Sequence, residues 1–383
     1  MFSFVVKKQL ERARLTELVT PHGAIKGPFF QFVATQAAIR GMLFSEDLEA
    51  MKVQIVLANT YHLHLRPGED VVAEAGGLHG FMNWSGPITT DSGGYQLFSL
   101  GAKHDTKEGV KVTEDSVTFR SPLDGSLHTF TPETAIQIQA KLGADIIMPL
   151  DVCTPYRVTH EDVLKAVDQT AVWARRCKDE HARLNTPQAL YGIVQGSTYP
   201  DLRQRSAQQL SELNFFGYSI GGELQERGEK QIESVVRQTT GHLPVHKPRY
   251  LMGYGTPEDI VGAVRAGVDH FDCVLPIRNA RHGQLFYNLN VEELVRLLKD
   301  PERPIVPADL YTRIDIRKSI FASDFSVFSA DHPVIQKPYT KAYVHHLMRA
   351  EVPSGNRLAV LHNIWFYVRL MEAIRVVIEK EGT

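Results

Sequence analysis

Apolar residues fall in short runs that end in polar residues or glycine, and most runs are followed by a stretch with helical periodicity. Eight such runs occur in order: "FFQFVAT" (29–35), "IVLANTYHL" (55–63), "ITTDS" (88–92), "DIIMPLD" (145–151), "LYGIVQGS" (190–197), "GYSIGG" (217–222), "RYLMGYG" (249–255) and "HFDCVLP" (270–276). Runs this short and this apolar read as strands. The helical stretches between them carry start signals. Thr131-Pro132-Glu133 places an N-cap before a proline at the first helical position, and Thr159 and Thr256 repeat the N-cap. Strands alternating with helices imply a parallel sheet. Eight units over about 250 residues is the size of a (β/α)8 TIM barrel, an α/β fold. An open doubly wound sheet is the alternative, weakened because no Gly-x-Gly-x-x-Gly turn follows the first strand.

Two regions lie outside the eight units. Residues 99–130 alternate polar and apolar about Asp124-Gly125, which predicts a β-hairpin insertion. The barrel, with an N-terminal β extension, is expected to fill 1–277, and a C-terminal helical subdomain 278–383, with helices in "NVEELVRLLKD", "KAYVHHLMRA" and "NRLAVLHNIWFYVRLMEAIRVVIEK".

Composition adds little. The 383 residues are 43% hydrophobic and 22% charged with net charge −2, so no global basic field points to nucleic acid and any such site must be a local patch. Segment 278–350 carries 11 Lys/Arg against 8 Asp/Glu, a small excess that a solvated face also explains. Three cysteines without metal-ligand spacing fit a reducing cytoplasm, and no run of 18 apolar residues predicts a membrane helix. The N-terminus lacks the apolar core of a signal peptide.

In a TIM barrel, function gathers at the C-terminal ends of the strands. Those ends here carry Asn59, Thr60, Asp91, Asp151, Gln195, Gly221, Gly222, Met252, Gly253 and Asp272. Any one can be a cap or a structural partner, but three aspartates and a glutamine on one rim point to chemistry. Asp272 sits in an apolar run with no neighbouring cation, as suits a carboxylate nucleophile at a sugar carbon. Asp91 is the candidate general acid and base. Asp151 and Gln195 offer donors and acceptors for the amide edge of a purine. Ser92, Gly93 and Gly94 form a tight turn, Gly222 can present its N–H closely, and Tyr95 can stack on a flat ring with Met252 on the other face.

"NTYHLHLRPG", "DSGGYQLFSL", "GIVQGS", "YLMGYGTPED" and "FDCVLPIRNARHGQ" resemble, in order, the signature blocks of the tRNA-guanine transglycosylases, or queuine tRNA-ribosyltransferases, from about residue 10 to 380. The absence of extra RNA-binding domains favours the bacterial type. The resemblance implies an enzyme that exchanges guanine at the wobble position of tRNA anticodons for a 7-deazaguanine base, either 7-aminomethyl-7-deazaguanine or queuine. It implies Asp272 as nucleophile on the ribose, Asp91 as acid/base, and Ser92 to Tyr95, Asp151, Gln195, Gly221, Gly222 and Met252 about the base. It further implies tRNA contact by Gly253, Tyr254, Gly255, Thr256, Pro257, Glu258 and Asp259, and by Arg278, Asn279, Ala280, Arg281 and His282. A cytoplasmic homodimer is expected. A non-catalytic tRNA-binding subunit on the same fold and an unrelated barrel hydrolase are the competing readings.

The chain departs from the family pattern at two places. Where the family has three zinc-binding cysteines and a histidine, this chain has Asp331, Pro333, Gln336 and His362, so no metal and no cofactor are expected. His345 and His346 are adjacent and do not form a ligand pair, and Cys153 and Cys273 read as packing residues. After the sixth strand, "GGELQERGE" places Glu223 and Glu226 in what reads as a longer loop, able to meet the cationic amine of the incoming base, and the reading leans to queuine. Residues 291–310 read as an insertion.

Overall fold

The computed structural model describes residues 2–103, 110–224 and 232–383, with only the backbone at 99–103. Eight parallel strands close into a barrel: Phe29–Val33, Val56–Ala58, Ile88–Thr90, Ile146–Ile147, Ala189–Val194, Gly217–Ile220, Arg249–Leu251 and His270–Cys273. Seven lie within their predicted runs, and the fifth begins one residue before its run, at Ala189. The last strand closes on the first with Asp272 opposite Gln31.

The alternation along the strands explains both layers. Phe29, Val33, Ile55, Leu57, Ile146, Met148, Ala189, Tyr191, Ile193 and Tyr250 pack together. The alternate residues Phe30, Phe32, Val56, Ala58, Ile147, Leu190, Leu251 and Phe271 join the larger core beneath the helices. This is the two-sided burial that continuous apolar strands require. Gln31 and His270 are among the polar residues of the buried strand layer: Gln31 Nε2 lies 3.2 Å from His270 Nδ1, and burial lowers the imidazole's pKa to about 3, with Arg14's charge adding to it.

The predicted helix starts are present. Thr131, Thr159 and Thr256 each accept a hydrogen bond from the N–H three residues on, opening helices Pro132–Leu142, His160–Leu184 and Pro257–Arg265. Leu18 and Ile25, from an antiparallel sheet of Ser3–Leu10, Ala13–Thr20 and Gly23–Gly27, pack with the alternate strand residues Phe29 and Val33.

The insertion is larger than the expected hairpin. Val117–Arg120 and Leu127–Phe130 pair about Asp124-Gly125 as read, but Val110–Val112 adds a third antiparallel strand, after a helix Gly94–Lys103. "VKV" is too short to announce itself as a strand; it forms because Thr113 and Ser116 close a turn that aligns it with Val117–Arg120. Residues 104–109 of the expected insertion lie outside the described residues.

The C-terminal helices Val291–Lys299, Lys341–Arg349 and Pro353–Glu381 match their sequence patterns. The last helix lies on the barrel. Asn363 donates to the carbonyls of Pro276 and Gln284, Tyr367 donates to that of Gly255 at 2.6 Å, and Arg375 donates to that of Pro28. Within 291–310, Glu293 pairs with Arg303, while Arg265 from the helix Pro257–Arg265 donates to the Arg303 carbonyl. No helix among the described residues is long and apolar enough to cross a membrane.

Candidate active site

Asp272 lies in the eighth strand, next to its end. Its Oδ1 accepts from the Tyr250 hydroxyl at 2.6 Å and from the Gly253 N–H at 2.8 Å. Among the described residues no hydrogen bond falls on Oδ2, so one carboxylate oxygen is fixed and the other is open. Burial pushes the acid up to about 6 against these two donors, and the charge of Asp91 adds to the rise.

Asp91 follows the third strand and is held differently. Asn59 Nδ2 and Gln96 Nε2 donate to Oδ2 at 2.6 and 2.8 Å, and the Thr60 N–H donates to Oδ1 at 2.8 Å. The Thr60 N–H belongs to the first turn of helix Thr60–Leu65, where backbone donors lack helical partners. Burial raises the pKa of Asp91 against these donors. Two carboxyls with raised proton affinity on one rim, one anchored through a single oxygen and one held through both, can divide nucleophilic and acid–base work.

Asp151 is buried beside them. Gln195 Nε2 donates to it at 2.7 Å and Ser92 Oγ at 3.3 Å, while burial, and to a smaller extent the charge of Asp91, lifts it to about 6. Gln195 Oε1 is buried without a partner among the described residues, an acceptor ready for a ligand N–H. Gly94, Gly221 and Gly222 make the space. A Cβ on Gly94 would sit 2.8 Å from Asp151 Oδ1, one on Gly221 2.8 Å from Gln195 Nε2, and one on Gly222 2.9 Å from Gln195 Oε1. Gly222 also has φ +96° and Gly93 φ +82°, which disfavour any other residue. Tyr95 is 55% exposed at the start of helix Gly94–Lys103, and Met252 is half-buried after the seventh strand.

Of the segments expected to meet tRNA, Gly253, Arg278, Arg281 and His282 are exposed. Tyr254, Thr256, Glu258, Asp259 and Asn279 are partly exposed, while Gly255, Pro257 and Ala280 are buried and shape the chain rather than present a surface. Tyr254 accepts the Leu224 N–H at 2.6 Å, tying this segment to the loop after the sixth strand. There Glu223 accepts the Tyr156 N–H at 3.0 Å; Glu226 lies outside the described residues.

Sequence reasoning missed Tyr250, Gln96 and Arg203. Tyr250 reads as core because it is an aromatic in an apolar strand. Arg203 is buried behind Gly222, donates to the Ser197 and Val194 carbonyls, and is pushed down to about 10 by burial. Nothing in a helical "LRQRS" distinguishes it from a surface arginine.

The four positions aligned with zinc ligands do not fit a zinc ion. Asp331 and Gln336 are exposed, Pro333 has no ligand atom, and both ring nitrogens of His362 are engaged, Nδ1 with Ser329 Oγ at 3.0 Å and Nε2 with the Phe286 carbonyl at 2.8 Å. His345 faces the Ile316 carbonyl, and Cys153 and Cys273 are buried.

A sequence model described as queuine tRNA-ribosyltransferase covers residues 9–383. The chain belongs to the queuine tRNA-ribosyltransferase family. It is 45% identical over 383 residues to the queuine tRNA-ribosyltransferase of Halothermothrix orenii, covering 100% of this chain and 94% of that protein. It is 42% identical to those of Pelotomaculum thermopropionicum over 380 residues (99% and 94%) and Psychrobacter cryohalolentis over 377 residues (97% and 91%). The chain is thus an enzyme of a pentosyl-transferring family.

Proposed function

We propose that this chain replaces guanine at the tRNA wobble position with a 7-deazaguanine base by two displacements through an ester between Asp272 and the ribose. The observation that carries the reading is the asymmetric anchoring of Asp272: Tyr250 and Gly253 hold Oδ1, and Oδ2 is the attacking oxygen. Oδ2 forms the bond to the ribose anomeric carbon while the bond to the guanine ring nitrogen breaks. The leaving base takes a proton from Asp91. The incoming base gives its ring proton back to Asp91 and displaces the Asp272 carboxylate. Asp151 and Gln195 read the amide edge, with the Gly222 N–H beside them, and Tyr95 and Met252 cover the ring faces. The target nucleoside must leave its stack to enter, as base-modifying enzymes require. Gly253 to Asp259 and Arg278 to His282 receive the anticodon arm.

The same reading places the protein in the cytoplasm as a homodimer, with no zinc at Asp331, Pro333, Gln336 and His362. For the incoming base we favour queuine. Support comes from Glu223, directly after Gly222, which brings a carboxylate to the edge of the base pocket, where a cationic amine on the base can pair with it. Displacement of labelled guanine from tRNA by the aminomethyl base but not by queuine would overturn that choice. The central test is exchange of labelled guanine into tRNA. Wild-type protein should exchange and leave a protein–RNA adduct on a denaturing gel. Asp272→Asn should do neither, and substantial exchange by that variant would sink the assignment.

A further inference from the structure

The second cluster of chemistry-bearing side chains lies at the other end of the barrel. Asp145 immediately precedes the fourth strand, whereas Asp151 follows it, so the two mark opposite ends. Asp145 is buried, 3% exposed, and its carboxylate faces two imidazoles. His22, from the turn between Ala13–Thr20 and Gly23–Gly27, places Nδ1 2.8 Å from Oδ1. His79, on helix Gly77–Met82, places Nε2 3.2 Å from Oδ2. The rings lie face to face with centroids 3.5 Å apart and planes 16° apart, and their nitrogens reach different oxygens of the one carboxylate. All three ligand atoms lie within 4.8 Å of one another, and among the described residues no other group of three His, Cys, Asp or Glu does so.

We propose that His22, His79 and Asp145 bind one divalent transition-metal ion of the zinc class. Two imidazoles and a carboxylate are a common zinc donor set, with a fourth position left for water. Bonds of about 2.0–2.2 Å in a tetrahedron separate ligand atoms by roughly 3.3 Å; the two nitrogens already lie 2.8 and 3.2 Å from the carboxylate, and the stacked rings must splay for both lone pairs to meet one ion. The carboxylate is the anion that such a site needs. Burial raises its pKa, but the hydrogen bonds from His79, His22 and the Ile88 N–H outweigh this and hold it below the ordinary value. The ring protons facing Asp145 move to His22 Nε2 and His79 Nδ1, or leave, as the ion enters. His22, with its side chain 39% exposed, supplies the entry path and has room to tilt. The three ligands come from a turn of the N-terminal sheet, a helix and the residue that leads into the fourth barrel strand, so the ion would staple that end of the barrel and stand apart from catalysis.

The test uses full-length, untagged protein stripped of metal and titrated with Co2+, then with Zn2+ in competition. One equivalent per chain should bind, with visible absorption bands of a low-coordinate site, and Zn2+ should raise the melting temperature. His22→Ala removes a partly exposed side chain and should fold and exchange guanine normally while binding at least roughly 100-fold more weakly, since loss of a group behind a ligand alone costs 10–100-fold. His79→Ala should weaken binding similarly, and His362→Ala should leave it unchanged. No saturable binding up to millimolar metal would overturn the proposal, as would wild-type binding in both His22→Ala and His79→Ala. The first outcome would leave the trio as a hydrogen-bonded clamp.

Discussion

Asp272 and Asp151 both reach about 6, and both are expected to work as anions: one attacks a sugar carbon, the other accepts N–H groups from the base. For each, burial favours the neutral form, so activity should be present above pH 6 and fall as pH drops through that value. Two groups titrating together should give kcat/KM an acid limb steeper than that of a single ionisation. Asp151→Asn should lower activity and flatten the limb to one ionisation; a limb unchanged in Asp151→Asn would remove Asp151 from this role. Tyr250→Phe deletes one of the two donors on Oδ1. It should reduce kcat by roughly tenfold, in line with about 1.5 kcal/mol for a hydrogen bond to a charged group, and move the acid limb upward. A merely structural Tyr250 would leave the limb in place. The aspartates were legible because a carboxylate at the end of an apolar run has no packing reason to be there. Tyr250 was not legible, since its ring fills the core while only its hydroxyl reaches Asp272.

At the scale of elements, the sequence marked helix starts more clearly than strand ends. Thr131, Thr159 and Thr256 each satisfy a backbone donor left over at a helix start, a local interaction that depends on residues three apart. The third strand of the insertion depends on a partner across a turn, and three residues carry too little pattern to reveal it. Thr256→Ala and Thr131→Ala should each cost about 1 kcal/mol in urea unfolding. Only Thr256→Ala should also weaken tRNA binding, because that cap opens the segment expected to meet the anticodon arm. Equal tRNA affinity in the two variants would argue that 253–259 does not touch tRNA. The helix Leu275–Arg281 presents Arg278 and Arg281 to solvent directly after the eighth strand. Arg281→Ala should weaken tRNA binding and lower the salt slope by about 1, as expected for one lost phosphate contact. An unchanged affinity and slope would count against that contact.

At the scale of the whole molecule, the barrel's closure was readable from eight apolar runs in order, whereas what holds the C-terminal helices was not. The residues that stand at the family's zinc positions led to the expectation of no metal there, but not to what holds the helices. In the structure His362 is the hub. Its ring lies 4.2 Å from that of Tyr287 and 5.0 Å from that of Phe328, and its two nitrogens hold Ser329 and the Phe286 carbonyl. Burial lowers its pKa to about 4, so it stays neutral at physiological pH and behaves as a packed polar residue. Asn363 and Tyr367, on the same helix, tie it to the Pro276, Gln284 and Gly255 carbonyls. On the proposed zinc-free reading, packing and hydrogen bonds hold these helices, and they do not depend on a chelator. Treatment with a strong chelator should leave guanine exchange and hydrogen-exchange protection of 353–381 unchanged. Any zinc that copurifies should disappear in His22→Ala and persist in His362→Ala. His362→Ala itself should destabilise the C-terminal region by roughly 2–4 kcal/mol, from the loss of a buried ring and of partners for two polar groups. Loss of protection in 353–381 on chelation, with zinc retained in His22→Ala, would show that the C-terminal helices are held by metal after all.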